Sequence, residues 1–161
     1  MVTEPPLVSI VIATFNRSAA LRCALSSVSK QTVTEWETIV VGDCCTDDTA
    51  DVVGSFDDPR IGFINLPVNF GEQSGPNNVG IERSRARLIA FLNHDDLWLP
   101  NHLEHSLVAL HARCADLVFG PNLNIVPGAV AGEPPIVIVD GLSRAGRYDP
   151  RQIDRATVAS T

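Results

Sequence analysis

The sequence predicts an α/β domain with a mainly parallel sheet flanked by helices. Short apolar, β-branched runs alternate with longer segments of helical spacing, the pattern of βαβ units. The first run, LVSIVIA (7–13), is apolar on both faces, as a central strand must be. A chain of 161 residues, 45% hydrophobic and 19% charged, has the apolar surface for the core of one domain.

After LVSIVIA, Ser18 to Lys30 carries Leu21, Ala24, Leu25 and Val28 at helical spacing, with Asn16 or Ser18 as N-cap. ETIVVG (37–42) is a second strand. Thr46 to Phe56 opens with TDD, acidic residues at the favourable end of a helix dipole. IGFINL (61–66) is a third strand, and Gly75 to Arg85 a third helix with Val79 and Ile81 facing inward. RLIAFL (87–92) is a fourth strand. Pro100 to Arg113 is a fourth helix, with Pro in its first turn and Leu103, Leu107, Val108 and Leu110 as its stripe. ADLVFG (115–120) closes the strand-dense region. Beyond residue 121, Gly and Pro surround a single apolar run, PPIVIVD, which reads as an irregular excursion or hairpin. The final RQIDRATVAST begins helically and then stops without a cap.

A formal net charge of -7 argues against a broad basic surface for nucleic acid or anionic lipid. An anionic ligand would need local donors or a metal. Cys23, Cys44, Cys45 and Cys114 form no CxxC pair and have no His at zinc spacing, which suits a reduced, cytoplasmic protein. The apolar run at the start is too short for a signal core or a transmembrane segment. No GxGxxG, GxxxxGK[ST] or GxSxG occurs, so dinucleotide, Walker-type and nucleophile-elbow chemistries lack support. His94, His102, His105 and His111 invite a metal reading, but satisfied histidines on an exposed helix account for them as well.

In an open α/β sheet, ligands bind beyond the carboxyl ends of the strands. Three loops qualify, and they should converge on one crevice: TFNR (14–17), GDCCTDDT (42–49) and NHDD (93–96). Phe15 could stack on a base or belong to the core, and Asn16 could bind a ligand or cap the helix. Asp43 could accept an imide N–H or occupy a turn. Asp47 and Asp48 read as first-turn helix residues. Asp95 and Asp96 are adjacent like charges after an apolar strand. They suit either a strand-ending turn or a hard cation such as Mg²⁺ or Mn²⁺, which takes oxygen ligands.

The segments VSIVIATFNR, SSVSKQT, WETIVVGD, TDDT, FGEQSGPNNVGIERS and LIAFLNHDDLWLPNHLE, in that order, resemble the donor-binding half of family 2 glycosyltransferases over residues 7–120. The resemblance implies a GT-A (Rossmann-like) fold, truncated here, with residues 1–120 as the nucleotide-sugar-binding region. Residues 121–161 would then begin an incomplete acceptor-side region. It implies inverting transfer from a nucleotide-diphospho-sugar, preferably a UDP-sugar, to an unidentified acceptor hydroxyl, with Mn²⁺ or Mg²⁺ as cofactor. By this similarity Thr14, Phe15, Asn16 and Arg17 surround the nucleoside and Asp43 binds the base. Asn78 matches the Asn of an ARN-like segment, and Asn93, His94 and Asp95 take the DxD positions. Asp95 is the metal ligand, with Asp96 beside it.

Four departures stand against that pattern. Asn93 replaces the first DxD carboxylate, Gly42 the first acid of a DDGS-like segment, Cys44 and Cys45 its small polar residues, and PNN the ARN. No residue matches the family's catalytic base, and Asp140, Asp149 and Asp154 sit in no matching motif. The alternative is a degenerate nucleotide-binding or interaction module of the same fold. An unrelated flavodoxin-like domain shares the strand pattern but leaves NHDDLWLP with TFNR unexplained. A halved domain would expose apolar surface near PPIVIVD and could self-associate.

Overall fold

The computed structural model describes residues 4–119, 122–126, 136–140 and 144–146. Internal contacts divide the chain into two compact units, Met1–His102 and Leu103–Thr161. The composition, by contrast, shifts only after residue 120.

The first unit holds β1 (Val8–Thr14), β2 (Trp36–Gly42), β3 (Ile61–Asn65) and β4 (Leu88–Phe91) in one all-parallel sheet ordered β3-β2-β1-β4. Every residue of β1 and β2 is buried, including the polar Ser9, Glu37 and Thr38, as expected of the two central strands. At the edge, β4 leaves Phe91 55% exposed, so the apolar run RLIAFL does not make a fully buried strand.

Three helices connect these strands: α1 (Ser18–Val28), α2 (Thr49–Gly54) and α3 (Ser74–Arg83). The chain steps from β1 outward to β3 and then crosses back to β4, on the other side of β1. Right-handed crossovers therefore put α1 and α2 on one face and α3 on the other. Consistent with this, α1 packs against α2, and α3 lies over β1 and β2. The order reverses between β1 and β4, which is where such sheets open a crevice.

α1 buries Leu21, Ala24, Leu25 and Val28, the four positions its spacing marks. Its N-cap differs from expectation. Arg17 occupies that position without a side-chain capping bond, and the Ser18 amide donates instead to the Asp47 carboxylate at 3.2 Å. The α3 expectation needs correction too. Ile81 is 41% exposed, and Pro76 and Gly80 face inward. A Cβ on Gly80 would overlap the Val11 side chain, so the helix approaches the sheet at its smallest residue.

Glu37 on β2 ties β1 to the connection that follows α3. It accepts the Ser9 hydroxyl at 2.6 Å, and the Arg85 amide and guanidinium each at 2.7 Å. Burial pushes this carboxyl up, but those hydrogen bonds and the Arg85 charge outweigh burial and hold it below the ordinary range.

The second unit contains α4 (His102–Ala112) and two antiparallel pairs. β5 (Leu117–Phe119) pairs with β8 (Arg144–Gly146), and β6 (Asn122–Val126) with β7 (Ile136–Asp140). The run in PPIVIVD is thus paired antiparallel, as a hairpin requires. On α4, Leu103 is buried but Val108 is 62% exposed, so the expected stripe is narrower than its spacing suggests. Asp149, Asp154 and the RQIDRATVAST segment lie outside the described residues.

Candidate functional site

A cavity of about 300 Å³ opens beyond the carboxyl ends of the parallel strands. Ala13, Thr14 and Phe15 of β1 and its loop line it, with Asp43 after β2 and His94 after β4. The three expected loops do converge. A fourth wall, Asn69, Gly71, Glu72, Gln73 and Pro76, comes from the β3–α3 connection, which sequence reasoning passed over. The signal was present: NFGEQSGP also follows the carboxyl end of a parallel strand, so the rule applied to the other three loops reached it as well.

Buried Asp43 organises that fourth wall. Its Oδ1 accepts the Phe70 amide at 2.8 Å and its Oδ2 the Gly71 amide at 3.1 Å, and its carbonyl accepts the Asn69 side-chain amide at 2.9 Å. Its own amide donates to the Thr14 carbonyl at 2.8 Å, joining the first two loops. Each carboxylate oxygen keeps a second acceptor position.

Asn16 joins the same loops from the other side. In the left-handed region at φ 50°, its Oδ1 accepts the Thr46 amide at 2.8 Å and the Asp47 amide at 3.3 Å. Asp47 then receives the Ser18 amide with one oxygen and the Thr49 amide and hydroxyl with the other. Burial is the largest single influence and raises this carboxyl, but the Thr49 and Ser18 bonds together outweigh it and hold the group below the ordinary range. Asp47 thus serves the starts of α1 and α2 together.

His94 lies against β1, with Nδ1 3.1 Å from the Ala13 carbonyl. Only a protonated Nδ1 can make that bond, so in the neutral ring Nε2 remains an acceptor, and His94 lines the cavity. Farther along, the Trp98 amide donates to the Ser27 hydroxyl at 3.2 Å, and Gln31 Nε2 to the Leu99 carbonyl at 2.8 Å. The NHDD segment is therefore anchored at both ends. Between the anchors, Asn93 Nδ2 donates to Asp96 Oδ2 at 2.8 Å. Asp95 is exposed and makes no hydrogen bond or ion pair among the described residues.

Of the expected site residues, Thr14, Phe15, Asp43 and His94 line the cavity. Asn16, Arg17, Asn93, Asp95 and Asp96 stand in the adjoining loops, and Asn78 lies on an exposed face of α3. Phe15 is 49% exposed, hence not a core residue, and the buried Thr14 hydroxyl has no partner among the described residues. Among those residues, no group of three or more His, Cys, Asp or Glu is placed to hold a metal.

Sequence and structure comparisons agree with this architecture. Residues 9–151 match the family described as Glycosyl transferase family 2. The chain is 35% identical to TuaG of Bacillus subtilis (strain 168) over 126 residues, which are 76% of this chain and 50% of that protein. It is 32% identical over 120 residues to WfgD of Escherichia coli, named a UDP-Glc:alpha-D-GlcNAc-diphosphoundecaprenol beta-1,3-glucosyltransferase, covering 74% of this chain and 47% of WfgD. It thus spans about half the length of these curated relatives. In structure it is similar to S. aureus TarS 1-349, crystallised in complex with UDP-GlcNAc. The TM-score is 0.66 at 25% identity, covering 78% of this chain and 38% of that one. With its parallel sheet, its crevice at the β1–β4 reversal and these matches, the chain belongs to glycosyl transferase family 2 and has the GT-A fold.

Proposed function

We propose that this chain is the donor-binding part of a glycosyltransferase that moves a sugar from a nucleotide-diphospho-sugar to an acceptor hydroxyl. The observation that carries the proposal is the cavity at the strand ends, where Thr14, Phe15, Asp43 and His94 meet. A UDP-sugar is the favoured donor. WfgD is named for UDP-Glc and TarS was crystallised with UDP-GlcNAc, and both resemble this chain.

In this reading the half-exposed Phe15 ring offers a face for the base to stack on. The free acceptor positions of Asp43 take a ring N–H. Both oxygens are already paired with backbone amides, so a base without that N–H forgoes only an added hydrogen bond to a charged group, worth about 1.5–3 kcal/mol. His94 Nε2 accepts a further hydroxyl or N–H. Glu72 and Gln73 bound the cavity on the α3 side.

The residues also fit a divalent cation. Asp95 is uncommitted, while Asp96 is partly occupied by Asn93, so Asp95 is the first ligand and Asp96 the second. Mg²⁺ and Mn²⁺ sites of this kind use one or two carboxylates and leave the other positions to phosphate oxygens and water. When bound, the cation stabilises the negative charge that develops on the diphosphate leaving group. No general base is assigned, since Asp140 stands on β7 and Asp149 and Asp154 lie outside the described residues. No helix among the described residues is long and apolar enough to cross a membrane. A cytoplasmic site of action rests on the four free cysteines.

Calorimetric titration with UDP, GDP, dTDP and ADP, each with and without Mn²⁺, tests the reading. Metal-dependent UDP binding is expected, weakened at least about tenfold in Asp95→Asn. Binding of no nucleotide diphosphate would overturn it. The Asn93 to Asp96 bond supports a second reading, a degenerate module in which Asp96 is held by Asn93 instead of serving a cation. UDP binding indifferent to Mn²⁺ and to Asp95→Asn would favour that module.

A further inference from the structure

Gly42 and Asn65 end neighbouring strands and face each other in the β2–β3 register. A Cβ on Gly42 would lie 2.7 Å from Asn65 Oδ1, 3.0 Å from Cys45 Sγ and 3.1 Å from Phe63 Cε2. The missing side chain at position 42 is therefore the space that the Asn65 carboxamide occupies. From there Oδ1 accepts the Cys45 amide at 2.8 Å, and Nδ2 donates to the Cys45 carbonyl at 2.9 Å. One side chain thus satisfies both polar groups of a single loop residue. The adjoining bonds run the same way: the Leu66 amide donates to the Gly42 carbonyl at 2.8 Å, and the Cys45 thiol points at the Thr14 carbonyl, 3.5 Å away.

We infer that Asn65 is a positioning residue of the donor site, matched to Gly42, which locks residues 43–45 so that Asp43 is held in the cavity. The inference rests on the donor-site reading above. Cys44 stands in the left-handed region at φ 63°, a conformation that non-glycine residues adopt at a cost. Asp43 precedes it directly, and both the fourth wall and any base contact depend on that carboxylate. Asn65 grips the residue immediately after the strained one, where a lock has most leverage. Only an amide suffices: the site needs one acceptor for N–H and one donor for C=O, and a carboxylate would present an oxygen to the carbonyl.

The test uses the 161-residue chain and four variants: Asn65→Ala, Asn65→Asp, Gly42→Ala and the double variant Gly42→Ala with Asn65→Ala. Amide hydrogen exchange at Cys45 and Thr46 is read without ligand, and UDP affinity is read calorimetrically with Mn²⁺. Asn65→Ala should speed Cys45 exchange more than about tenfold and weaken UDP by roughly tenfold, with a melting temperature within about 3 °C of wild type. Asn65→Asp should fall between. Gly42→Ala should be as damaging as Asn65→Ala, and the double variant should lose less than the sum of the two, because removing the carboxamide relieves the closest contact and leaves only the tight approaches to Cys45 Sγ and Phe63. Unchanged Cys45 exchange in Asn65→Ala would overturn the lock, and so would additive losses in the double variant. If wild type binds UDP and Asn65→Ala binds it equally, the role in positioning falls while the donor site stands. If wild type binds no UDP, the donor-site reading and this role both fail, and the exchange data then report only a loop contact.

Discussion

Asn16 sits at φ 50° while its carboxamide accepts the amides of Thr46 and Asp47, so its replacement carries two separable costs. Asn16→Ala should destabilise the fold by about 2 kcal/mol, combining the left-handed backbone with the lost bonds. Asn16→Gly tolerates the backbone and should lose about 1 kcal/mol. Equal losses in urea unfolding would sink this division. Glu37 makes a second prediction, of pH dependence. Its folded-state pKa is lowered, so its contribution is fully present above the ordinary glutamate range and is lost as pH falls through the folded value. Glu37→Gln should therefore cost about 1–3 kcal/mol at neutral pH. The gap from wild type should narrow on acidification below the ordinary glutamate range, and denaturation curves in which it stays constant would exclude this carboxylate as the cause.

Where α3 crosses β1, the two elements approach closely at Gly80. Because a Cβ on Gly80 would overlap Val11, Gly80→Ala should push α3 outward and cost about 1–3 kcal/mol, despite the better helix propensity of Ala. Combining it with Val11→Ala should recover part of the loss in thermal unfolding. A stabilised single variant would mean that the helix is free to shift. Since Gln73 and Pro76 line the cavity around the start of α3, the same variant should also weaken nucleotide binding. This crossing explains why Ile81 does not face inward as its hydrophobicity predicts, while Val79 is half-buried. Hydrophobicity singles out Val79 and Ile81, yet close approach to a sheet selects the small Gly80, and Ile81 is left 41% exposed. On α1, in contrast, Leu21, Ala24, Leu25 and Val28 are all buried, and spacing alone identifies the four positions.

At the scale of the whole molecule, a net charge of -7 opposes the approach of a polyanion. The proposed donor site therefore draws on short-range donors and a cation instead of a basic field. UDP affinity with Mn²⁺ should accordingly change less than about threefold between roughly 50 and 200 mM NaCl. A steep fall with salt would reveal a basic patch that recruits the nucleotide. Because the chain spans about half of its curated relatives, sugar transfer itself belongs to the proposal for the whole protein, while nucleotide binding can be tested on this chain.

The sequence by itself determined the alternation of strands and helices, the burial of β1, and three of the four loops that meet at the cavity. These follow from local periodicity and from the rule that parallel strands present ligands at their carboxyl ends. Only the tertiary structure decided how the polar side chains divide their work. Asn16 and Asp47 looked like local helix-cap and first-turn residues, but each bonds across to another loop. Asn65 carried no signal at all, because its partner at Cys45 is distant in sequence and its space exists only where Gly42 faces it across two strands. Hydrogen bonds between loops depend on register and on which side chain is missing, and neither is written in the spacing of a single segment.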